Sequence, residues 1–388
     1  MPVKVGMFTD SYRPYTSGLV RSLETTAANL SALGHEVYIF APSYPRYEKE
    51  AGVFRFASVP SPHSREYTIA LPFSLNLRST VRRIGLDVIH VHSPFFMGHL
   101  GARCAYRSGL PLVFTYHTMY DQYVHYMPFA RGLSRRIVQR FLPNFCNRCD
   151  VVITPTKIIR DLIAERLRTK IAVVPTGIET EEFAVADDDW LRRQYGISSE
   201  TKILLHVGRL GKEKNIGFVL QAYRQIRQKH PNVCLVLVGD GPERAHLQEE
   251  VRRLGLEAGV IFTGLLPRRH LVDSYAGADL FIFASTTETQ GLVLGEAKAA
   301  GLPAVAVSAL GAAEMVNDGV DGYLTPLSLP FFAEKVLLLL ENEPLRRAMA
   351  ERAKLEAEKI SAPYMARKLA DVYEEAVNCQ AGCSSTAM

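Results

Sequence analysis

Short apolar runs alternate with helix-period segments along the whole chain. Val3 to Thr9 is mostly apolar without clean alternation, which predicts a central parallel strand buried on both faces. The loop "DSYRPYTSG" follows, and Leu19 to Leu33 reads as a helix ended by Gly34. "EVYIFAP" is the next strand, and further strands are predicted at Val53–Ala57, Val88–His92, Leu112–Tyr116, Val151–Thr154 and Ile171–Val174. Helices are predicted between them at Leu75–Ile84, Met97–Ser108, Gly132–Asn147 and Lys157–Leu167. A stretch without periodicity, including Asp187-Asp188-Asp189, precedes a second round of alternation. "KILLHV", "VCLVLVGDGPE", "VIFTGLL", "DLFIFAS", "PAVAV" and "DGYLT" supply its strands. Helices at Leu329–Glu341, Glu343–Lys359 and Ala362–Val377 close the chain.

This β-loop-α-β order predicts an α/β fold with two Rossmann-like parallel-sheet domains. The length of 388 residues agrees, since it exceeds what one core usually supports. The expected boundaries are 1–175 for the first domain and 176–360 for the second. A helix over 361–378 is expected to return to the first, with a flexible Gly/Ser-containing tail at 379–388. The dinucleotide fingerprint G-x-G-x-x-G is absent from the opening strand-loop-helix, which disfavours nicotinamide and flavin dehydrogenases.

Charge is unevenly spread. Residues 1–175 hold 22 Lys and Arg against 11 Asp and Glu, while the remainder holds 23 against 29. A basic half joined to an acidic half argues for an anionic partner at one end. In "FARGLSRRIVQRFLPNFCNR", Arg131, Arg135, Arg136, Arg140 and Arg148 interleave with apolar positions at helical spacing. The apolar stripe would face the core. The arginine face is either merely solvated or lies on anionic lipid headgroups. Arg78, Arg82 and Arg83 form a second basic cluster. No apolar run approaches the roughly 20 residues that span a bilayer, and no leader pattern opens the chain. The expected location is the cytoplasm, peripherally on the inner face of the cell membrane. Six cysteines suggest no disulfide framework; Cys146-x-x-Cys149 lacks the partners of a zinc set and reads as buried helical thiols.

Candidate chemistry gathers at strand ends. "GRLGKEKN" puts Arg209 and Lys214 on one loop, where both cations can converge on a phosphate. "VGDGPE" brings Gly239 and Gly241, which either admit a ligand or only shape a tight turn. "DLFIFASTTETQGLVLGEAKAAGLP" runs from a strand through a polar turn into a helix that stops at Gly301 and Pro303. Backbone N–H groups at Gln290, Gly291 and Leu292 would face an anion there. Glu288 and Glu296 flank that helix start and suit the hydroxyls of a nucleotide sugar. In the first half, "TYHTMYDQYVHYMP" places His117 and several tyrosines directly after a strand.

Taken in this order, the motifs resemble the retaining glycosyltransferases of GT-B architecture, in which two Rossmann-like domains face a cleft. More narrowly they resemble glycosyltransferase family 4, and "YHTMYDQYVHY" and "TETQGLVLGEAKAAGLP" are most similar to bacterial 1,2-diacylglycerol 3-alpha-glucosyltransferases. The resemblance implies a first domain that binds acceptor and a second that binds a nucleotide sugar. It implies hexose transfer, glucose above all, from a UDP-sugar to a membrane lipid such as 1,2-diacylglycerol, with retention of configuration. Arg209 and Lys214 would hold the diphosphate, so that no metal site such as D-x-D is required; the UDP-sugar is a co-substrate and no cofactor is implied. Glu288 would hold sugar hydroxyls, Gln290, Gly291 and Leu292 would lie beside sugar and phosphates, and Glu296 would bond the ribose. His117 would lie against the donor sugar, while Gly18 and Gly239 would let backbone approach the donor. In the first loop Ser17-Gly18 stands where many relatives have two glycines. Arg131, Arg135, Arg136 and Arg140 would meet the membrane or acceptor, and no nucleic-acid partner is expected. Open alternatives are a phosphatidylinositol mannosyltransferase, a polysaccharide-building transferase, a UDP-sugar 2-epimerase and a non-catalytic sugar-nucleotide binder.

Overall fold

In the computed structural model the described residues are 2–15, 17–45, 47, 49–61, 64–71, 73, 76–119 and 140–385. The chain divides into two compact units, residues 1–177 with 362–388, and residues 178–361.

The first unit is built on seven parallel strands. In chain order these are β1 (Lys4–Phe8), β2 (Glu36–Pro42), β3 (Val53–Phe56), β6 (Val88–Val91), β7 (Leu112–Thr115), β8 (Val151–Thr154) and β9 (Lys170–Val173). The intervening β4 (Ser58–Ser61) and β5 (Ser64–Ala70) form a separate antiparallel pair. The sheet order is β3-β2-β1-β6-β7-β8-β9. The chain therefore winds outward from β1, returns, and continues on the other side. The switch lies between β1 and β6, and loops leaving the carboxyl ends of strands at such a point form a crevice where open α/β sheets take ligands.

The second unit repeats the plan with β10 (Lys202–Val207), β11 (Val233–Val238), β12 (Val260–Gly264), β13 (Leu280–Phe283), β14 (Ala304–Val307) and β15 (Gly322–Thr325). Their order is β12-β11-β10-β13-β14-β15, so the switch lies between β10 and β13. Successive residues of a strand point to opposite faces, and both faces are covered. Leu204, Leu235 and Ile282 pack with Val219, Tyr223 and Phe332 on one side. Ile203, Leu205, Val236 and Phe283 pack with Leu191, Tyr275 and Leu294 on the other. This is why these strands read as continuous apolar runs.

Several boundaries differ from the pattern of the sequence. The first helix is Gly18–Ala32, one residue earlier than its apolar period, because Ser17 caps it through a 3.3 Å bond from Val20 N to Ser17 Oγ. The expected helix over 132–147 is helical over 140–146; its earlier part lies outside the described residues. Cys146 ends that helix and Cys149 lies in the turn beyond, both buried and free. Short helices Glu181–Ala184 and Trp190–Tyr195 fill the stretch that showed no periodicity. The closing helix begins at Ala362 and runs to Ser385, through residues that composition suggested as a tail. Extending a formed helix needs no new nucleus, so Gly382 and the serines are carried along. Among the described residues no helix is long and apolar enough to cross a membrane.

The closing helix belongs to the first unit's core. Ala366, Leu369, Ala370, Tyr373 and Ala376 pack with Val5, Leu23, Val88 and Ile153. The Tyr373 hydroxyl lies 2.6 Å from His90 Nδ1, inside the protein. Replacing Tyr373 by Phe removes that partner and is expected to cost about 1–3 kcal/mol of local stability. Amide exchange along β6 checks this, and unchanged protection there would show that the bond contributes nothing.

Candidate functional site

In the second unit the loop after β10 and the loop after β11 are joined backbone to backbone. Gly208 N bonds Val238 O at 3.0 Å, Leu210 N bonds Asp240 O at 3.0 Å, and Glu243 N bonds Leu210 O at 2.9 Å. Gly239 has φ +129°, and a Cβ there would stand 2.0 Å from the Gly208 carbonyl oxygen. A Cβ at Gly241 would stand 2.5 Å from Leu210 O. These glycines thus let backbone pack against the loop that carries Arg209. The loop ends in a single 3-10 turn, Lys212–Lys214, with Asn215 at φ +53°.

That turn aims Lys214 at the loop after β13. Its Nζ is bonded to Glu288 Oε1, with side-chain exposures of 16% and 17%. Ser285 Oγ lies 2.9 Å from the same carboxylate oxygen and 3.1 Å from the Glu213 carbonyl oxygen. Its one hydrogen can serve either acceptor in turn. Beneath them His206 is fully buried on β10, with Nδ1 3.1 Å from Ile282 O and Nε2 unpartnered among the described residues. Burial lowers its pKa to about 4, so it is neutral at physiological pH and adds no charge beside Lys214. Arg209 is exposed on the same loop as Lys214.

The helix after this loop is Leu292–Ala299, entered through Gly291 at φ +85°. Gly291 has no side chain to cap the first turn, and the Leu294 N–H turns back to the Gly291 carbonyl oxygen at 2.9 Å. Glu296, one turn further on, is held on both oxygens. Arg268 Nη1 donates to Oε1, and the Tyr275 hydroxyl donates to Oε2 at 2.9 Å. Arg268 is shared with Glu182, whose Oε2 lies 2.7 Å from Nε. Burial, and then the Glu296 charge, push the Tyr275 pKa well up, so that hydroxyl stays a donor. Each carboxylate oxygen keeps a further lone pair for a hydroxyl donor. Gln290 is buried and Leu292 partly so.

In the first unit His117 follows β7, and its Nε2 lies 3.0 Å from Nδ1 of His92, just past β6. Burial lowers the His117 pKa to about 4 and the His92 pKa well below its ordinary value. Gly18 is exposed at the first turn of the opening helix, where the Ser17 hydroxyl already takes the Val20 N–H. Arg140 is exposed on the 140–146 helix. Arg131, Arg135 and Arg136 lie outside the described residues.

The structure therefore brings Lys214 to Glu288 and sets Glu296 one turn into the neighbouring helix. Ser285, His206, Glu182, Arg268 and Tyr275 escaped the sequence reading. Ser285 alone had a signal, as the hydroxyl directly after an apolar strand. Among the described residues no group of three His, Cys, Asp or Glu side chains is arranged to hold a metal ion.

Comparison with known proteins gives the following. Residues 16–182 match the family model described as Glycosyltransferase Family 4, and residues 187–356 match that described as Glycosyl transferases group 1. The alpha-monoglucosyldiacylglycerol synthase of Streptococcus pneumoniae is 35% identical over 78% of this chain and 71% of the relative. The alpha-monoglucosyldiacylglycerol synthase of Acholeplasma laidlawii is 30% identical over 78% of this chain and 80% of the relative. Among solved structures, Anabaena HepE in complex with UDP-glucose superposes with a TM-score of 0.76 at 21% identity, over 96% of this chain and 100% of that one.

Gly239→Ala is expected to destabilise the second unit by about 2 kcal/mol or more, through the left-handed φ and the clash with Gly208. Thermal unfolding of the purified variant checks it; an unchanged midpoint would mean the two loops are not held together as described.

Proposed function

The chain belongs to the GT-B glycosyltransferases of family 4, with a group 1 second half, and on that premise we propose that it transfers glucose from UDP-glucose to a 1,2-diacylglycerol with retention of configuration. The observation that carries the reading is the pairing of Lys214 with Glu288 at the second unit's switch point, one loop from an uncapped helix start. A donor has phosphates for the cation and the helix N–H groups, and hydroxyls for the carboxylates. The names of the two relatives support diacylglycerol as acceptor, and HepE with UDP-glucose supports the donor.

The roles divide by charge. Arg209 and Lys214 take the diphosphate; Lys214 leaves Glu288 for a phosphate oxygen, which frees Glu288 for sugar hydroxyls. Glu296, fixed by Arg268 and Tyr275, accepts from ribose hydroxyls. His117 of the first unit is assigned to the transferred sugar. In the reaction the bond from the anomeric carbon to the phosphate oxygen breaks, and its electron pair stays on the phosphate. The acceptor oxygen bonds the same face of the sugar, and its proton passes to the departing phosphate oxygen. Cations and N–H dipoles already in place favour that charge separation without reorganising during the step. The arginines of the first unit, Arg140 among them, are assigned to an anionic membrane surface, where each contributes about 1 kcal/mol.

The direct test is a donor-by-acceptor screen with radiolabelled nucleotide sugars and diacylglycerol vesicles, resolved by chromatography. Label from UDP-glucose should appear in lipid; label recovered only as an epimerised UDP-sugar, or only in a soluble acceptor, contradicts the proposal. Arg209→Ala and Lys214→Ala should each lower turnover by about 10² or more, and near-normal rates in either would remove the leaving-group role. Activity should rise with the anionic lipid fraction and fall with salt, because surface charge is screened within a Debye length. Indifference to both would argue against the membrane surface.

A further inference from the structure

His90 on β6 and His92, one residue past the strand's end, lie on one face, because side chains two apart along an extended chain share a face. Their situations differ. His90 is satisfied on both nitrogens, by the Tyr373 hydroxyl at 2.6 Å and by Thr115 Oγ1 at 2.7 Å. It is a core residue with a full set of partners. His92 lies against it with ring centroids 4.1 Å apart, is 2% exposed, and faces His117 through Nδ1 at 3.0 Å. The His92 and His117 rings are also near-parallel, at 22°. Nε2 of His92 is buried and has no hydrogen-bond partner among the described residues.

Burial holds both rings neutral at physiological pH, so each carries one N–H. Their shared bond then has two possible senses. If His117 donated from Nε2, the His92 proton would sit on its own Nε2, a buried N–H with no acceptor. Orphaned buried N–H groups are rarer than orphaned lone pairs, because an unmade donor bond forfeits its whole hydration. The opposite sense leaves only a lone pair unpaired. We propose that His92 is a positioning residue, whose Nδ1–H donates to His117 Nε2 and thereby fixes the His117 proton on Nδ1. The second nitrogen of a histidine is set by the bond its first one makes. The His117 Nδ1 is then a donor and cannot act as a base. The value of this to the enzyme rests on the assignment of His117 to the transferred sugar; the hydrogen bond itself does not.

The test uses the full chain with ring-15N histidine and long-range proton–nitrogen correlation spectra, the His117 signals being identified by their loss in His117→Ala. The wild type should show a protonated Nδ1 and an unprotonated Nε2 at His117. In His92→Phe, which keeps the ring volume, the Nε2–H form should gain, kcat should fall about tenfold, and KM for UDP-glucose should stay within about twofold. His92→Asn, whose amide can stand near the lost Nδ1, should recover kcat to within about threefold, whereas His92→Gln, which reaches the other end of the ring, should not. Should His92→Phe fail to fold, the Asn and Gln pair decides alone. An Nε2–H His117 in the wild type, or equal activity of the Asn and Gln variants, overturns the proposal. If the tautomer shifts as expected while His117→Ala keeps full activity, the hydrogen bond is upheld and the functional assignment of His117 is overturned.

Discussion

Lys214 and Glu288 stand together where neither has much water, and the proposed function turns on that contact. Removing two charges from solvent costs several kcal/mol unless each finds a partner, and breaking such a pair by deleting one member leaves the other uncompensated. Here the carboxylate has Lys214 and the Ser285 hydroxyl, and the ammonium has the carboxylate. Under the proposed function a phosphate would take the cation and sugar hydroxyls the anion. His206 below stays uncharged, so it does not compete for either.

Everything around the pair serves to place it. β10 and β13 are adjacent because the sheet switches direction between them, and the loops that leave their carboxyl ends therefore meet. The glycines after β11 let backbone lie on backbone under the Arg209 loop. At the far end of the site the same logic repeats with more partners: Glu296 is oriented by Arg268 and Tyr275, and Arg268 is itself anchored by Glu182. In the first unit the equivalent strand ends carry rings instead of ion pairs, with His92 and His117 laid over a fully bonded His90.

Much of the framework was legible in the chain. Parallel strands buried on both faces announce themselves as apolar runs, and the helix from Leu292 to Ala299 was visible from its helix formers and its stop at Gly301 and Pro303. The antiparallel β4–β5 pair was not, because Pro60 and several polar residues interrupt any alternation. Charged residues of the site were found where a motif concentrated them, as at Arg209 and Lys214. Their partners were not, since Lys214 and Glu288 are 74 residues apart and only the strand order joins them. Arg268 and Tyr275 lie on an ordinary amphipathic helix, and nothing in its period distinguishes residues that turn toward Glu296. The glycines near Asp240 read in sequence either as a ligand loop or as a tight turn, and the close backbone contact that requires them is visible only once the two loops are placed together.

The division of labour between Lys214 and Glu288 is open to one direct measurement, the affinity of Glu288→Gln for UDP by calorimetry. UDP has the diphosphate and lacks the sugar. If Glu288 serves the sugar and merely holds Lys214 in the absence of ligand, the neutral variant binds UDP at least as tightly as the wild type, while its affinity for UDP-glucose falls. Weaker UDP binding in Glu288→Gln, comparable to that of Lys214→Ala, would contradict the account by showing that the carboxylate is part of the phosphate site.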